Sequence, residues 1–352
     1  MARCPICGKD YSDDAKFCTR DGTRLLSSAE VTGQRHTAPT PRAERPVARQ
    51  THSNLVGTTL QGRYEIVRKI GEGGMSFVYL ATDVATRERH AIKVLSAALS
   101  ADENAMARLR REASVGMRLA HPNVCHIMRL GETEDGLVYV VMPLVEGEIL
   151  ADRTTRLGQI PLTNVVGLVR DIAQGLHVAH ELKIVHRDLK PENVMVCTRP
   201  DGSDYAVVMD FGLAKERKAG AELQKLTVTG IILGTPEFMS PEQLRGKPLD
   251  PRTDIYSLGL MTYEMLTGKL PFHGRTQQEM MIARLRSEPI PLRKIRSDLT
   301  FPEAVERVLA KTMARDPDDR YQTTIEFAEA FAAASNSGTA PEGGLLGKLF
   351  GR

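Results

Sequence analysis

The chain holds 352 residues, 41% hydrophobic and 26% charged, with a formal net charge of +3. That composition fits one large or two medium globular domains, and a balance so near neutral offers no global basic field for nucleic acid. No apolar run approaches the ~18 residues that cross a bilayer, and the N-terminus has no apolar signal-peptide core, so the expectation is a cytoplasmic protein without a membrane span.

Three of the five cysteines fall within the first 18 residues, which suits a metal site in a reducing compartment better than a disulfide framework. Cys4 and Cys7 make one C-x2-C turn. Cys18 and Asp21 make a second of the same shape, with a carboxylate where a fourth thiolate would complete the set. Paired turns of this kind bring four ligands around zinc. Residues 1–26 resemble a short zinc ribbon, with Zn2+ on Cys4, Cys7, Cys18 and Asp21. A segment this small cannot bury a core unaided, which favours metal. No basic recognition helix follows, so protein contact is expected rather than DNA reading.

Residues 27–57 exchange apolar periodicity for Thr, Ser, Pro, Arg and Gly and read as a disordered basic tether, with Thr37, Thr40, Thr51 and Ser53 as accessible hydroxyls. Residues 64–70 then alternate like a strand. The turn Gly71, Glu72, Gly73, Gly74, Met75, Ser76 leads into a second strand through Phe77 and Val78. A glycine-rich turn between antiparallel strands can lie close over phosphates, because no side chain blocks the backbone. A dinucleotide fold would need a helix straight after it, and a strand follows. Ala91, Ile92 and Lys93 end a third strand. Residues 102–119 predict a helix, with Glu103 as an acid of its first turn and Gly116 in its interior. Residues 137–142 form a buried strand.

A buried helix over 165–182 leads into His186, Arg187, Asp188, Leu189, Lys190, Pro191, Glu192 and Asn193. This loop puts a carboxylate, an ammonium and an amide close together, the three groups that phosphoryl transfer needs. Strands over 194–196 and 207–209 flank a turn at 200–203, and Asp210, Phe211 and Gly212 follow. Residues 215–233 are polar and loop-like. An apolar helix follows Asp254, and the last helix ends near Ala334. Residues 335–352 form a flexible tail whose final eight residues are apolar with two cations.

These landmarks, in this order, resemble the eukaryotic-like serine/threonine protein kinase family over residues 64–333. The resemblance implies an α+β class, the bilobal protein kinase fold: a small antiparallel-sheet lobe (58–142), a hinge (143–147) and a mainly helical large lobe (148–334), preceded by the zinc-ribbon-like knuckle. It implies transfer of the γ-phosphoryl of ATP to Ser or Thr hydroxyls of protein substrates, with Mg2+ or Mn2+. Asp188 would be the base, Lys190 would steady the phosphate, and Asn193 and Asp210 would hold the metal. Lys190, two residues after Asp188, is the serine/threonine pattern. The nucleotide would meet Ile70, Gly71, Glu72, Gly73, Gly74, Met75, Ser76, Phe77 and Val78 above, with Ala91, Met142 as gatekeeper, and Pro143 and Val145 at the hinge. Lys93 would reach the α- and β-phosphates, held by Glu112. Ser76 and Pro143 depart from the family pattern at tolerant positions.

The resemblance further implies activating phosphates on Thr227 and Thr229 that pair with Arg187, and a homodimer for trans-autophosphorylation. Thr235 would contact Asp188 and Lys190, Asp254 would bond the catalytic-loop backbone, and Glu242 would pair with Arg320. A mid-helix glycine costs about 1 kcal/mol relative to Ala and leaves a gap, so the helix is expected to sit inward only marginally and to be pushed in by a partner or a second copy, and Gly116→Leu is expected to raise basal activity. The alternative is a pseudokinase or zinc-ribbon scaffold that binds partners. A pseudokinase would usually have lost Lys93, Asp188 or Asp210, and all three are present.

Overall fold

The structure is a computed structural model that describes residues 2–3, 10–11, 55–73, 76–95, 103–211 and 236–337. In the N-terminal unit, residues 1–51, β1 (Ala2–Arg3) pairs antiparallel with β2 (Asp10–Tyr11). Cys4, Cys7, Cys18 and Asp21, and the linker up to residue 54, lie outside the described residues.

The second unit opens with a six-stranded antiparallel sheet. Its strands are β3 (Thr59–Leu60), β4 (Tyr64–Gly73), β5 (Ser76–Asp83), β6 (Arg89–Leu95), β7 (Arg129–Glu132) and β8 (Val138–Pro143), in the order β3-β4-β5-β6-β8-β7. Strand alternation sends Tyr64, Ile66, Tyr79, Ile92, Val94, Tyr139 and Val141 into one buried cluster. The register pairs Val78 with Lys93, Lys93 with Val140 and Ala91 with Met142, so these residues share the opposite face. Leu55 belongs to the first cluster, inside the stretch read from sequence as tether. The Thr58 N–H and hydroxyl both donate to the Leu55 carbonyl, at 3.0 and 2.7 Å, and fix that turn.

Helix α1 runs Glu103–Gly116 and ends three residues earlier than expected. Gly116 therefore stands at the end of the helix, not in its interior. The expected gap is absent as well, since a Cβ built there would sit 3.0 Å from Ile127 Cδ1. Ile127 fills the space, so the gap from which Gly116→Leu was expected to raise basal activity is not there.

The lower lobe holds α2 (Leu150–Leu157), α3 (Leu162–Glu181), a three-stranded sheet of β9 (Glu148–Ile149), β10 (Val194–Thr198) and β11 (Asp204–Val208), then α4 (Pro241–Leu244), α5 (Pro251–Thr267), α6 (Gln277–Arg286), α7 (Leu292–Ile295), α8 (Glu303–Thr312) and α9 (Thr324–Asn336). Helix α5 is buried nearly all round, with Ile255, Leu258, Leu260, Met261, Met265 and Leu266 in the core and the hydroxyls of Thr253, Ser257, Thr262 and Thr267 hydrogen-bonded within the lobe. Asp250 caps its start by accepting the Arg252 N–H at 2.8 Å. Gly268 ends it at φ +69°, where a Cβ would lie 1.9 Å from the Gly158 carbonyl oxygen, so only glycine admits this approach of two helix ends. Pro143 completes β8 rather than opening the hinge, Met209 follows β11 rather than lying in it, and α9 passes the expected end at 334 by two residues. Among the described residues no helix is long and apolar enough to cross a membrane.

Candidate active site

The loop between α3 and β10 closes as a 3-10 turn over Pro191–Asn193. Asn193 Nδ2 donates to the Asp188 backbone carbonyl at 2.7 Å and to its carboxylate at 3.1 Å. Lys190 Nζ stands 3.3 Å from the same carboxylate. The three polar groups read from the sequence thus meet within hydrogen-bonding or ion-pair reach.

Asp210 follows β11 at the same base of the β10–β11 hairpin from which Asn193 leads into β10. The Met209 N–H donates to the Asn193 carbonyl at 2.8 Å, which ties the two chain segments together. Asp210 Oδ1 lies 2.7 Å from Lys93 Nζ. Arg187 and Asp210 are held at φ +65° and +56°, in the left-handed region that side chains adopt at a cost of ~1–3 kcal/mol each. Their surroundings account for it. Asp254 accepts the N–H groups of His186 and Arg187, at 2.8 and 3.0 Å, and Gln243 Nε2 donates to the Arg187 carbonyl at 2.7 Å. His186 Nε2 lies 2.9 Å from the Met209 carbonyl, and its ring packs edge-on against Phe211 at 4.8 Å.

Asp254 is wholly buried. Burial alone would push its carboxyl up, but the bond to His180, the nearby His186 ring and the His186 N–H outweigh it and hold the group below the ordinary carboxylate value. Burial of Glu242 is likewise outweighed by two 2.8 Å bonds from Arg320. Glu264, on α5, has no such partner among the described residues. Burial pushes its carboxyl up to about 7, with Glu192 and Glu237 adding repulsion.

On the opposite face of the upper sheet, Ala91 and Met142 pack with Val78, Leu144, Val145, Met195 and Met209. Met195 and Met209 were not anticipated; Met195 alternates with the buried Val194 and Val196 on β10, a period-2 signal that could have revealed it. Cys125 was also missed. Its Sγ lies 3.8 Å from the Pro143 carbonyl, and burial pushes its thiol up to about 12, so it is an inert apolar filler rather than a nucleophile. Gly71 lies against Val78, Ile70 is exposed, and Gly73 pairs with Ser76 across the hairpin. Gly74, Met75, Thr227, Thr229 and Thr235 lie outside the described residues, as does the side chain of Glu112.

A sheet-rich upper lobe over a helical lower lobe, with the Lys93 ammonium of one meeting the Asp210 carboxylate of the other, defines the bilobal fold of phosphoryl-transferring kinases. Residues 64–331 match the protein kinase domain family, and the chain belongs to that family. It is 37% identical over 278 residues to the serine/threonine-protein kinase pkn3 of Myxococcus xanthus, an alignment covering 79% of this chain and 50% of that protein. It is 37% identical over 273 residues to the serine/threonine-protein kinase PrkC of Bacillus subtilis, covering 78% and 40%. The chain thus spans half or less of the length of these relatives. The crystal structure of the PknI kinase domain of Mycobacterium tuberculosis is similar with a TM-score of 0.61 and 28% identity, covering 79% of this chain and 98% of that one.

Proposed function

We propose that the chain is a serine/threonine protein kinase that transfers the γ-phosphoryl group of ATP to protein hydroxyls. The observation that carries this reading is the 2.7 Å pair of Lys93 and Asp210 beside the Asp188, Lys190 and Asn193 cluster. Asp188 takes the proton of the acceptor hydroxyl as its oxygen bonds to phosphorus and the bond to ADP breaks. Lys190 steadies the moving phosphoryl group, and Lys93 engages the α- and β-phosphates. Val78, Ala91, Met142, Pro143 and Val145 take the adenine, beneath the paired ends of β4 and β5.

Asn193 commits its amide nitrogen to Asp188, which leaves Oδ1 for a cation, and Asp210 adds carboxylate oxygen. That all-oxygen donor set fits Mg2+ or Mn2+. When bound, the ion would neutralise charge on the phosphates. Our reading also includes Glu112 as partner of Lys93, phosphorylation of Thr227 or Thr229 by a second copy, a cytoplasmic location, and zinc on Cys4, Cys7, Cys18 and Asp21. The zinc reading is supported by the paired C-x2-C-type spacing and by the small size of the segment.

The test is incorporation of label from γ-labelled ATP with Mg2+, comparing wild type with Asp188→Asn and mapping the sites. Transfer to Ser or Thr should fall at least ~100-fold in the variant. A folded wild type that binds ATP yet labels neither itself nor a generic acceptor would sink the reading.

A further inference from the structure

We infer that Arg284 is a positioning residue for the protein acceptor: from α6 it fixes the turn 236–239, which walls the cleft beside Asp188. The inference rests on the kinase reading above. Arg284 is only 1% exposed. Its Nη1 donates to the Pro236 carbonyl at 2.7 Å and to the Met239 carbonyl at 2.9 Å. Among the described residues these two carbonyls are its only hydrogen-bond partners, and its Nε meets no acceptor.

A buried guanidinium carries a heavy desolvation penalty, and an apolar side chain of similar size would fill the same space more favourably. What the charge accomplishes against that penalty is a pair of charge-assisted bonds to one turn. Phe238 and Met239 of that turn line a narrow cleft together with Asp188 and Lys190. On the kinase reading, this wall is one side of the approach by which an acceptor hydroxyl reaches Asp188. Among the described residues one further side chain bonds the turn, Ser257 Oγ to the Phe238 carbonyl at 2.8 Å, and within the turn the Met239 N–H donates to the Pro236 carbonyl at 3.2 Å. Among them, Arg284 alone joins the two ends of the turn to another helix through their carbonyls. Loss of Arg284 should therefore loosen the acceptor wall and leave the Lys93–Asp210 pair in place.

The experiment compares full-length wild type, Arg284→Met and Arg284→Lys by amide hydrogen exchange and by steady-state kinetics with ATP and myelin basic protein. In Arg284→Met, exchange over 236–240 should quicken about tenfold while 186–193 stays as in wild type. The KM for the acceptor should rise about fivefold and that for ATP stay within about twofold. Arg284→Lys, which keeps the charge, should recover part of both effects, and it carries the same test if the Met variant does not fold. Unchanged exchange across the turn, or an equal rise in both KM values, overturns the assignment. A wild type that transfers no phosphate overturns the kinase reading and this assignment with it; an active wild type whose variants keep the acceptor KM overturns the assignment alone.

Discussion

Asp254 Oδ2 and His180 Nε2 meet at 2.7 Å inside the lower lobe, and the same carboxylate accepts the backbone N–H groups of His186 and Arg187. One buried anion thus ties the end of α3 and the start of the catalytic loop to α5, and it sits directly behind a residue held at φ +65°.

Asp254→Asn keeps the shape and removes the charge. Breaking a buried pair costs ~3–5 kcal/mol, so urea unfolding at pH 7 should show a loss of that order. The Asp254 pKa is depressed in the fold, so its contribution is present above the ordinary carboxylate range and disappears as pH falls through the depressed value. The gap between wild type and variant should therefore narrow below about pH 4. A gap that stays constant down to pH 3 would show that the charge is not what stabilises this junction.

The Glu242–Arg320 pair lies 78 residues apart in sequence and joins α4 to the segment before α9. Arg320 also donates to the carbonyls of Arg252, Ala314 and Arg315 and stacks over Tyr256 at 4.7 Å. Arg320→Met strands Glu242 and should cost about 3–5 kcal/mol, whereas the double variant with Glu242→Gln should cost less than the single one. Thermal unfolding of the four proteins of this cycle decides it.

Glu264 behaves in the opposite sense to Asp254. Its carboxyl is raised from an ordinary 4.5 to about 7, so the folded state holds a proton that the unfolded state has released. Stability is full below pH ~4.5 and declines as pH rises to about 7, by at most about 3 kcal/mol. Glu264→Gln should equal wild type at about pH 4 and exceed it in Tm at pH 8. Parallel pH curves for the two proteins would contradict this.

Gly116 faces Ile127 Cδ1 at the distance where a methyl group must displace its neighbour. Gly116→Ala should be neutral to mildly destabilising, and Gly116→Leu should lose roughly 1–3 kcal/mol by overpacking. Combination with Ile127→Val should recover part of that loss. Denaturant midpoints of the single and double variants measure the coupling.

Lys93, Asp188, Asn193 and Asp210 are legible through the resemblance of their motifs to the kinase family, and the structure brings Lys93 to Asp210 and Asn193 to Asp188. The antiparallel upper sheet was legible in the residues themselves, since the alternation at Tyr64 and Ile66 matches their burial. Other features depend on contacts between distant segments. Leu55 is a single apolar residue in a polar window and gains its meaning only from the sheet that covers it. The apolar period continues through Leu119, which drew the end of α1 too far along the chain. Arg284 looks in sequence like one more charge on a polar helix, because nothing local signals the carbonyls of a turn 48 residues away.

The β10–β11 hairpin pairs without interruption from Val194–Val208 to Thr198–Asp204. Asn193 and Asp210 stand just outside its base, so their spacing is decided there and not by the number of residues at its tip. Residues 200–203 are exposed, and Gly202 turns at φ +84°. Chain length at that tip is therefore uncoupled from the chemistry, and doubling a loop adds only ~0.6 kcal/mol of closure entropy. The tip is a permissive point for grafting an epitope or a fluorescent reporter into the protein.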